Sequence, residues 1–209
     1  MNVQYVQSIQ KEGKGMEQKK RCMGRRDLCN YLLIFVLITV ITIVIVTYGT
    51  LIETTAHHPG LFLASGFMVA FAVWFGWRGV IAAFLGCFVG SGLYMGLSPD
   101  INALYSLADV LLAGIPALMF RILKANPDLR RIRDIVVYVI FGLVINTFVS
   151  AVWSIESMSR GGYIPLEEVV PFIINWMAGD IFIIFTITSV LLSFGTPMLR
   201  KRGLIPQHF

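Results

Sequence analysis

Residues 28–52 read LCNYLLIFVLITVITIVIVTYGTLI, a run with no charged position. As an α-helix rising about 1.5 Å per residue, such a run exceeds the roughly 30 Å hydrocarbon core of a bilayer. Ile, Val and Thr dominate it, and in water that composition favours strands. Hydrocarbon offers the backbone nothing to bond to, so a lone segment crosses only as a helix that satisfies its own N–H and C=O groups. The run is too long for the apolar region of a signal peptide, and no small-residue cleavage site follows it. It therefore reads as an uncleaved first span.

The pattern recurs at about 61–77, 80–97, 101–123, 135–157 and 169–195. Over the whole chain of 209 residues, 56% are hydrophobic and 14% are charged, whereas about a quarter of an average soluble domain is charged. A soluble fold would interrupt these runs at period 2 or 3.6. The expected fold is an all-α membrane protein, a bundle of about six transmembrane helices over 28–199. Basic segments flank it at 1–27 and 200–209. The second and third runs are near the lower length limit and are joined by Gly76-Trp77-Arg78-Gly79, so a shallow helical hairpin fits them as well. Pro116 is expected to kink the fourth helix, and Pro197 to stop the sixth.

The positions of the basic residues orient the bundle. With the N-terminus inside, seven Lys/Arg fall in the first tail, one at Arg78, five from Arg121 to Arg133 and three at Arg200-Lys201-Arg202. Only Arg160 falls outside, while Glu53, Asp100, Glu167 and Glu168 lie in the outer loops. This bias predicts that both termini are cytoplasmic and that the chain is a multi-pass protein of the cell membrane. Tyr48, Tyr105, Trp153 and Tyr163 near the outer boundary, with Trp74 and Trp77 near the inner one, read as aromatic belts.

The same distribution argues against nucleic acid as the partner of the +5 net charge, because no basic, aromatic-interleaved domain stands apart from the spans. Cys22, Cys29 and Cys87 show neither metal-type nor disulfide-type spacing. His57-His58 are adjacent, and a metal site needs ligands converging from several segments. Ala82, Gly86 and Gly90 repeat every four residues, which reads as close helix packing. No nucleophile sits in a recognisable elbow. No cofactor or metal is expected, and the chain is not read as an enzyme.

The informative residues are polar groups inside the apolar runs. Asp180 falls near the middle of the sixth span, with Trp176 one turn earlier on the same face and Asn175 beside it. A carboxylate at such a depth costs roughly 2.5–3.5 kcal/mol on insertion scales, so it should face the bundle interior. Asp109 lies in the outer half of the fourth span, two turns after Asn102, and Asn146 with Ser150 forms a stripe in the fifth. Asp180, Trp176, Asn175, Asp109 and Asn146 are the candidate residues for a small-molecule or ion ligand. The competing role for each is an interhelical hydrogen bond.

Three stretches, taken in order, resemble the first-described type of membrane-associated sensor domain, the MASE family of prokaryotic signalling proteins. One is Pro59-Gly60 and Ala64-Ser65-Gly66 leading to Gly76-Trp77-Arg78-Gly79 and Phe84-Leu85-Gly86. Another is Leu107 to Arg121. The third is Arg133-Asp134 followed by Asn175-Trp176-Met177-Ala178-Gly179-Asp180, similar to the family's Trp–x–x–Gly–Asp. The resemblance implies a sensory, ligand-recognising domain. Family members usually carry more spans and an attached kinase, cyclase or phosphodiesterase. This sequence, with six spans and no such domain, is expected to act through a separate signalling subunit docking on Arg121–Asp134 and Arg200–Arg202, beside membrane lipid. A substrate-binding (S) component of an energy-coupling-factor uptake transporter, for a vitamin or metal, is the alternative by size and topology. Its drawback is that the small-residue stripe lies in the third span and not the first. A plain membrane scaffold subunit is a third reading.

Overall fold

The structure is a computed structural model that describes residues 25–56 and 62–205, with the side chains of 25–28 and 53–56 outside the description. Most of the basic tail, Cys22, the His57-His58 pair, Pro59-Gly60 and His208 lie outside the described residues. All regular structure among the described residues is helical. The chain divides into two units at Val36/Leu37. The described part of the first unit is the start of α1 (Arg25–Ala56), with Leu32, Leu33 and Val36 exposed.

The second unit holds the rest of α1 and five further helices. They are α2 (Ala64–Phe75), α3 (Trp77–Gly92), α4 (Pro99–Ile122), α5 (Ile132–Arg160) and α6 (Leu166–Lys201). Among the described residues, four helices are long and apolar enough to cross a membrane: α1, α4, α5 and α6. α2 and α3 are shorter apolar helices. The 12 residues of α2 reach about 18 Å, well short of a bilayer core. What divides the expected second and third runs is Gly76, whose φ of +63° no helix can continue through.

Two glycines make that turn. Gly76 takes the positive φ, and the Arg121 guanidinium lies where its Cβ would stand. A cation there also faces the negative end of α2. Gly79 lets α3 start against α2, because a Cβ would collide with Phe71 O and the Ala72 backbone. The small-residue stripe of α3 does pack as expected. A Cβ on Gly86 would press on the Thr42 side chain at 2.6 Å, and one on Gly90 would meet Ile43 O at 2.9 Å, both on α1.

α3, α5 and α6 contain π-helical turns at Phe88–Gly92, Tyr138–Val144, Ile184–Thr188 and Leu191–Gly195. Each wide turn disturbs the i→i−4 ladder, and side chains of neighbouring helices bond the carbonyls at two of them. Asn102 Nδ2 donates to Phe88 O at 3.0 Å, and Tyr138 Oη donates to Ile184 O at 2.7 Å. Asn102 is therefore a packing residue, fully buried against Gly92.

Several boundaries differ from the sequence reading. Pro197 does not stop α6, which continues through Lys201. Proline there falls in the first turn after a π-helical segment, where its missing N–H is tolerated. Trp74 is no belt residue: it is buried, and its Nε1 donates to Thr196 Oγ1 at 2.9 Å, with its ring against Gly195. Tyr105 is likewise buried. Tyr48, Trp77, Trp153 and Tyr163 are exposed, as amphipathic boundary residues require. Leucine, isoleucine, valine and phenylalanine side chains are exposed along α5 and α6, for instance Ile140, Phe148, Phe182, Phe185 and Phe194. In water that surface would aggregate, whereas hydrocarbon solvates it.

Candidate functional site: a polar cavity between α4, α5 and α6

Three helices each present a pair of residues four positions apart to one small cavity. α4 supplies Tyr105 and Asp109, α5 supplies Ser150 and Ser154, and α6 supplies Trp176 and Asp180. Four-residue spacing stacks two side chains on one helix face. Three such pairs therefore meet without any irregularity of the backbone at the site. Phe62, Ala108 and Leu112 complete the wall with apolar surface. Among the described lining residues there is no Lys, Arg or His.

Both carboxylates are out of reach of bulk solvent: Asp109 is 8% exposed and Asp180 1%. Tyr105 and Trp176 pack edge to face with ring centroids 6.3 Å apart, a favoured aromatic geometry. Cys87 of α3 is the thiol beside Asp109. Ser150 donates to Thr147 O at 3.2 Å, one turn back on its own helix. Ser154 Oγ is buried and has no hydrogen-bond partner among the described residues. The space between these groups is about 10 Å³ for the centre of a water-sized sphere, which is room for one water molecule.

Sequence neighbours are sorted by helix geometry. Asp180, Trp176 and Asp109 come together in this cavity. Asn175 does not join them. It is exposed on α6, five positions and so about 140° around the helix from Asp180. Its adjacency to Trp176 in sequence is what suggested a shared site, and consecutive residues on a helix do not share a face. Asn146 is buried one turn from Ser150, but its Nδ2 donates to Leu112 O at 3.0 Å. That carbonyl lies four residues before Pro116, which has no N–H to give it. Asn146 thus supplies the hydrogen bond that the proline removes.

As cavity residues, Ser154 and Tyr105, the latter read from the sequence as a belt aromatic, were missed. A signal for Ser154 was present, because Asn146, Ser150 and Ser154 repeat every four residues. Tyr105 precedes Asp109 by one turn, the same relation as Trp176 to Asp180.

The helices that build this cavity lie within the segment matched by a family model, MASE1, over residues 31–203. The chain belongs to the MASE1 family. MASE1 domains are membrane-associated sensory domains, and the four long apolar helices fit that setting. No curated protein and no solved structure matches the chain. The Gly76-Trp77-Arg78-Gly79 turn and the Trp176-to-Asp180 stretch, which carry the resemblance, are now seen as a helix–helix turn and a cavity wall.

The segment after α4 and the end of α6 join. Arg200 Nη2 donates to Asn126 Oδ1 at 2.6 Å, and Arg200 Nη1 lies 3.6 Å from Asp128 Oδ2. Arg133 Nη2 donates to Lys124 O at 2.6 Å. Arg130 and Arg131 stay exposed on the loop, and Lys201 and Arg202 on the helix end.

Proposed function

We propose that this MASE1 chain is a six-span sensory domain of the cell membrane with both termini cytoplasmic. It recognises a small ligand or ion at the cavity lined by Asp109, Trp176 and Asp180, and it acts through a separate protein. The observation that carries the reading is the meeting of Asp109 and Asp180, seventy-one positions apart in sequence, in one buried cavity. Two acids set into apolar helices are expensive to insert, and packing alone does not require either of them to be ionisable. α2 and α3 count as the second and third spans in this reading. They form a hairpin that turns at Gly76.

The proposed output surface is the basic patch formed by 121–134 and Arg200–Arg202, which Arg200 joins through Asn126 and Asp128. A ligand changes an output only through different affinities for two states of the bundle. α6 carries Asp180 at the cavity and Arg200 at the patch, so a shift of that helix reaches both. The reading is tested by photo-crosslinking from Arg130 in native membranes. A signalling protein recovered at that position is the expected result. Lipid alone, across several growth conditions, would remove the partner from the account, and an ATPase or coupling subunit would replace sensing with transport.

A further inference from the structure

α5 carries a second surface that the cavity does not use. Ser150 and Ser154 turn to the cavity. Val152 and Glu156 each stand two positions further on, about 200° around the helix. They line a groove of about 320 Å³ between α5 and α4. We infer that this groove binds a zwitterionic phospholipid with a primary ammonium headgroup, a phosphatidylethanolamine. The inference rests on the membrane setting of the helices and not on what the cavity recognises.

The groove has the length of one lipid leaflet. On α5 it runs from Phe148 to Arg160, about 18 Å of helix, against about 15 Å for half of the hydrocarbon core. Leu104, Phe148, Val149 and Val152 make one end apolar, and Glu156 and Arg160 stand at the other. That charged end is also the end of the α5 helix, where Gly161 follows. Trp153 forms part of the wall between them: its Nε1 donates to Leu104 O at 2.8 Å and its ring stays exposed. An indole that is apolar outward and bonded inward suits the boundary between acyl chain and headgroup.

The charges at the rim select the headgroup. Arg160 Nε and Nη2 both donate to Glu156 Oε1, at 3.1 and 2.9 Å, and both side chains are exposed. Arg160 Nη1 and Glu156 Oε2 are left to bond outward. A phosphate on the guanidinium and an ammonium on the carboxylate each make a charge-assisted hydrogen bond. An anionic headgroup would satisfy Arg160 and meet the Glu156 carboxylate, and a choline headgroup has no N–H to give it. A second groove, of about 240 Å³, shares Glu156 and Arg160 and is lined further by Ser159 and by Leu166, Val169 and Val170 of α6. Two grooves meeting at one charged pair match the two chains of a diacyl lipid. Ser159 Oγ has no hydrogen-bond partner among the described residues and adds a hydroxyl donor beside Arg160.

The test places the full chain in lipid nanodiscs containing equal parts of phosphatidylethanolamine, phosphatidylcholine and phosphatidylglycerol. Native mass spectrometry then reads which lipid stays on the protein. Wild type should retain phosphatidylethanolamine about twofold to fivefold over either of the others, the worth of an exposed charge pair. Glu156→Gln should lose that preference while still retaining phospholipid, and Arg160→Gln should retain less of all three. Val152→Trp fills the groove without touching the charged pair and should also lower retention. A photoreactive acyl chain on phosphatidylethanolamine should label the stretch from Phe148 to Trp153. Equal retention of the three lipids by wild type, from protein shown by circular dichroism and size-exclusion to be folded, overturns the inference. So does a preference for phosphatidylglycerol, a preference unchanged in Glu156→Gln, or labelling confined to other segments. None of these outcomes bears on the sensory reading, which is decided by Asp180 and by crosslinking from Arg130.

Discussion

Asn146 Nδ2 donates to Leu112 O at 3.0 Å, four residues before Pro116. A proline inside a transmembrane helix leaves one carbonyl without its N–H, and in hydrocarbon that carbonyl has no water to turn to. Asn146 of α5 fills the gap, and so fastens α5 to α4 just below the cavity that the two helices share with α6.

This relationship predicts a coupled pair of substitutions. Asn146→Ala should destabilise the protein by about 1–3 kcal/mol, the cost of a buried acceptor left unsatisfied. Pro116→Ala restores an N–H four residues after Leu112. In the Pro116→Ala background, Asn146→Ala should therefore cost clearly less. Thermal unfolding in one detergent, run as a double-mutant cycle, measures the coupling. Strict additivity would mean that the amide does not serve the proline.

The α2–α3 turn makes a second prediction. Gly79→Ala places a methyl against Phe71 O and the Ala72 backbone, neither of which is the free end of a flexible side chain. The hairpin should open, with loss of folded protein in membranes. Gly96 also has positive φ, at +69°, but nothing lies within 4 Å of its Cβ position. Gly96→Ala should cost only about 1 kcal/mol, the conformational penalty alone. Comparable yields of folded Gly79→Ala and wild-type protein would show that the close approach does not matter.

The orientation is tested by single cysteines in a background with Cys22, Cys29 and Cys87 removed. Asp100 and Gly162 are exposed and should label from outside intact cells, and Arg130 only after permeabilisation. Asn102, which the sequence places near the same outer turn, is fully buried and would not label in either case. External labelling at Arg130 would contradict the six-span arrangement, whose ground is the partition of basic residues.

Trp74 should behave as a joint between α2 and α6. Trp74→Phe removes the donor to Thr196 Oγ1 and part of a ring packed on Gly195. A loss of about 1–3 kcal/mol is expected, by hydrogen bond and packing together. Trp77→Phe, on an exposed side chain, should change unfolding by less than about 0.5 kcal/mol. Equal effects of the two substitutions would place both at the membrane boundary.

The helical membrane fold was legible because burial in lipid leaves long uncharged runs, and 28–52 alone forces a helix. The acids were legible for the same reason, since Asp109 and Asp180 stand out in apolar surroundings. A site shared by the two was expected from their polarity alone, whereas which faces of α4, α5 and α6 build its wall is a matter of tertiary packing. Asn175 was misplaced by adjacency, and Asn146 by its polarity, since the sequence does not show which backbone group a buried amide will bond. Trp74 was misread because indoles at the ends of apolar runs suit an interface and a buried hydrogen bond equally well. Pro197 was read as a stop because the π-helical turn before it has no sequence signature.

The central claim is that the cavity governs what the basic patch around Arg130 and Arg200 contacts. A photo-crosslinker at Arg130, used in native membranes, reports on it most directly when wild type, Asp180→Asn and Asp180→Leu are compared at equal amounts of folded protein. The account predicts that both substitutions change the yield of the crosslinked partner severalfold, because each removes the ionisable group that sets the state of the bundle. A partner yield unchanged in Asp180→Leu would contradict it and reduce Asp180 to a packing residue.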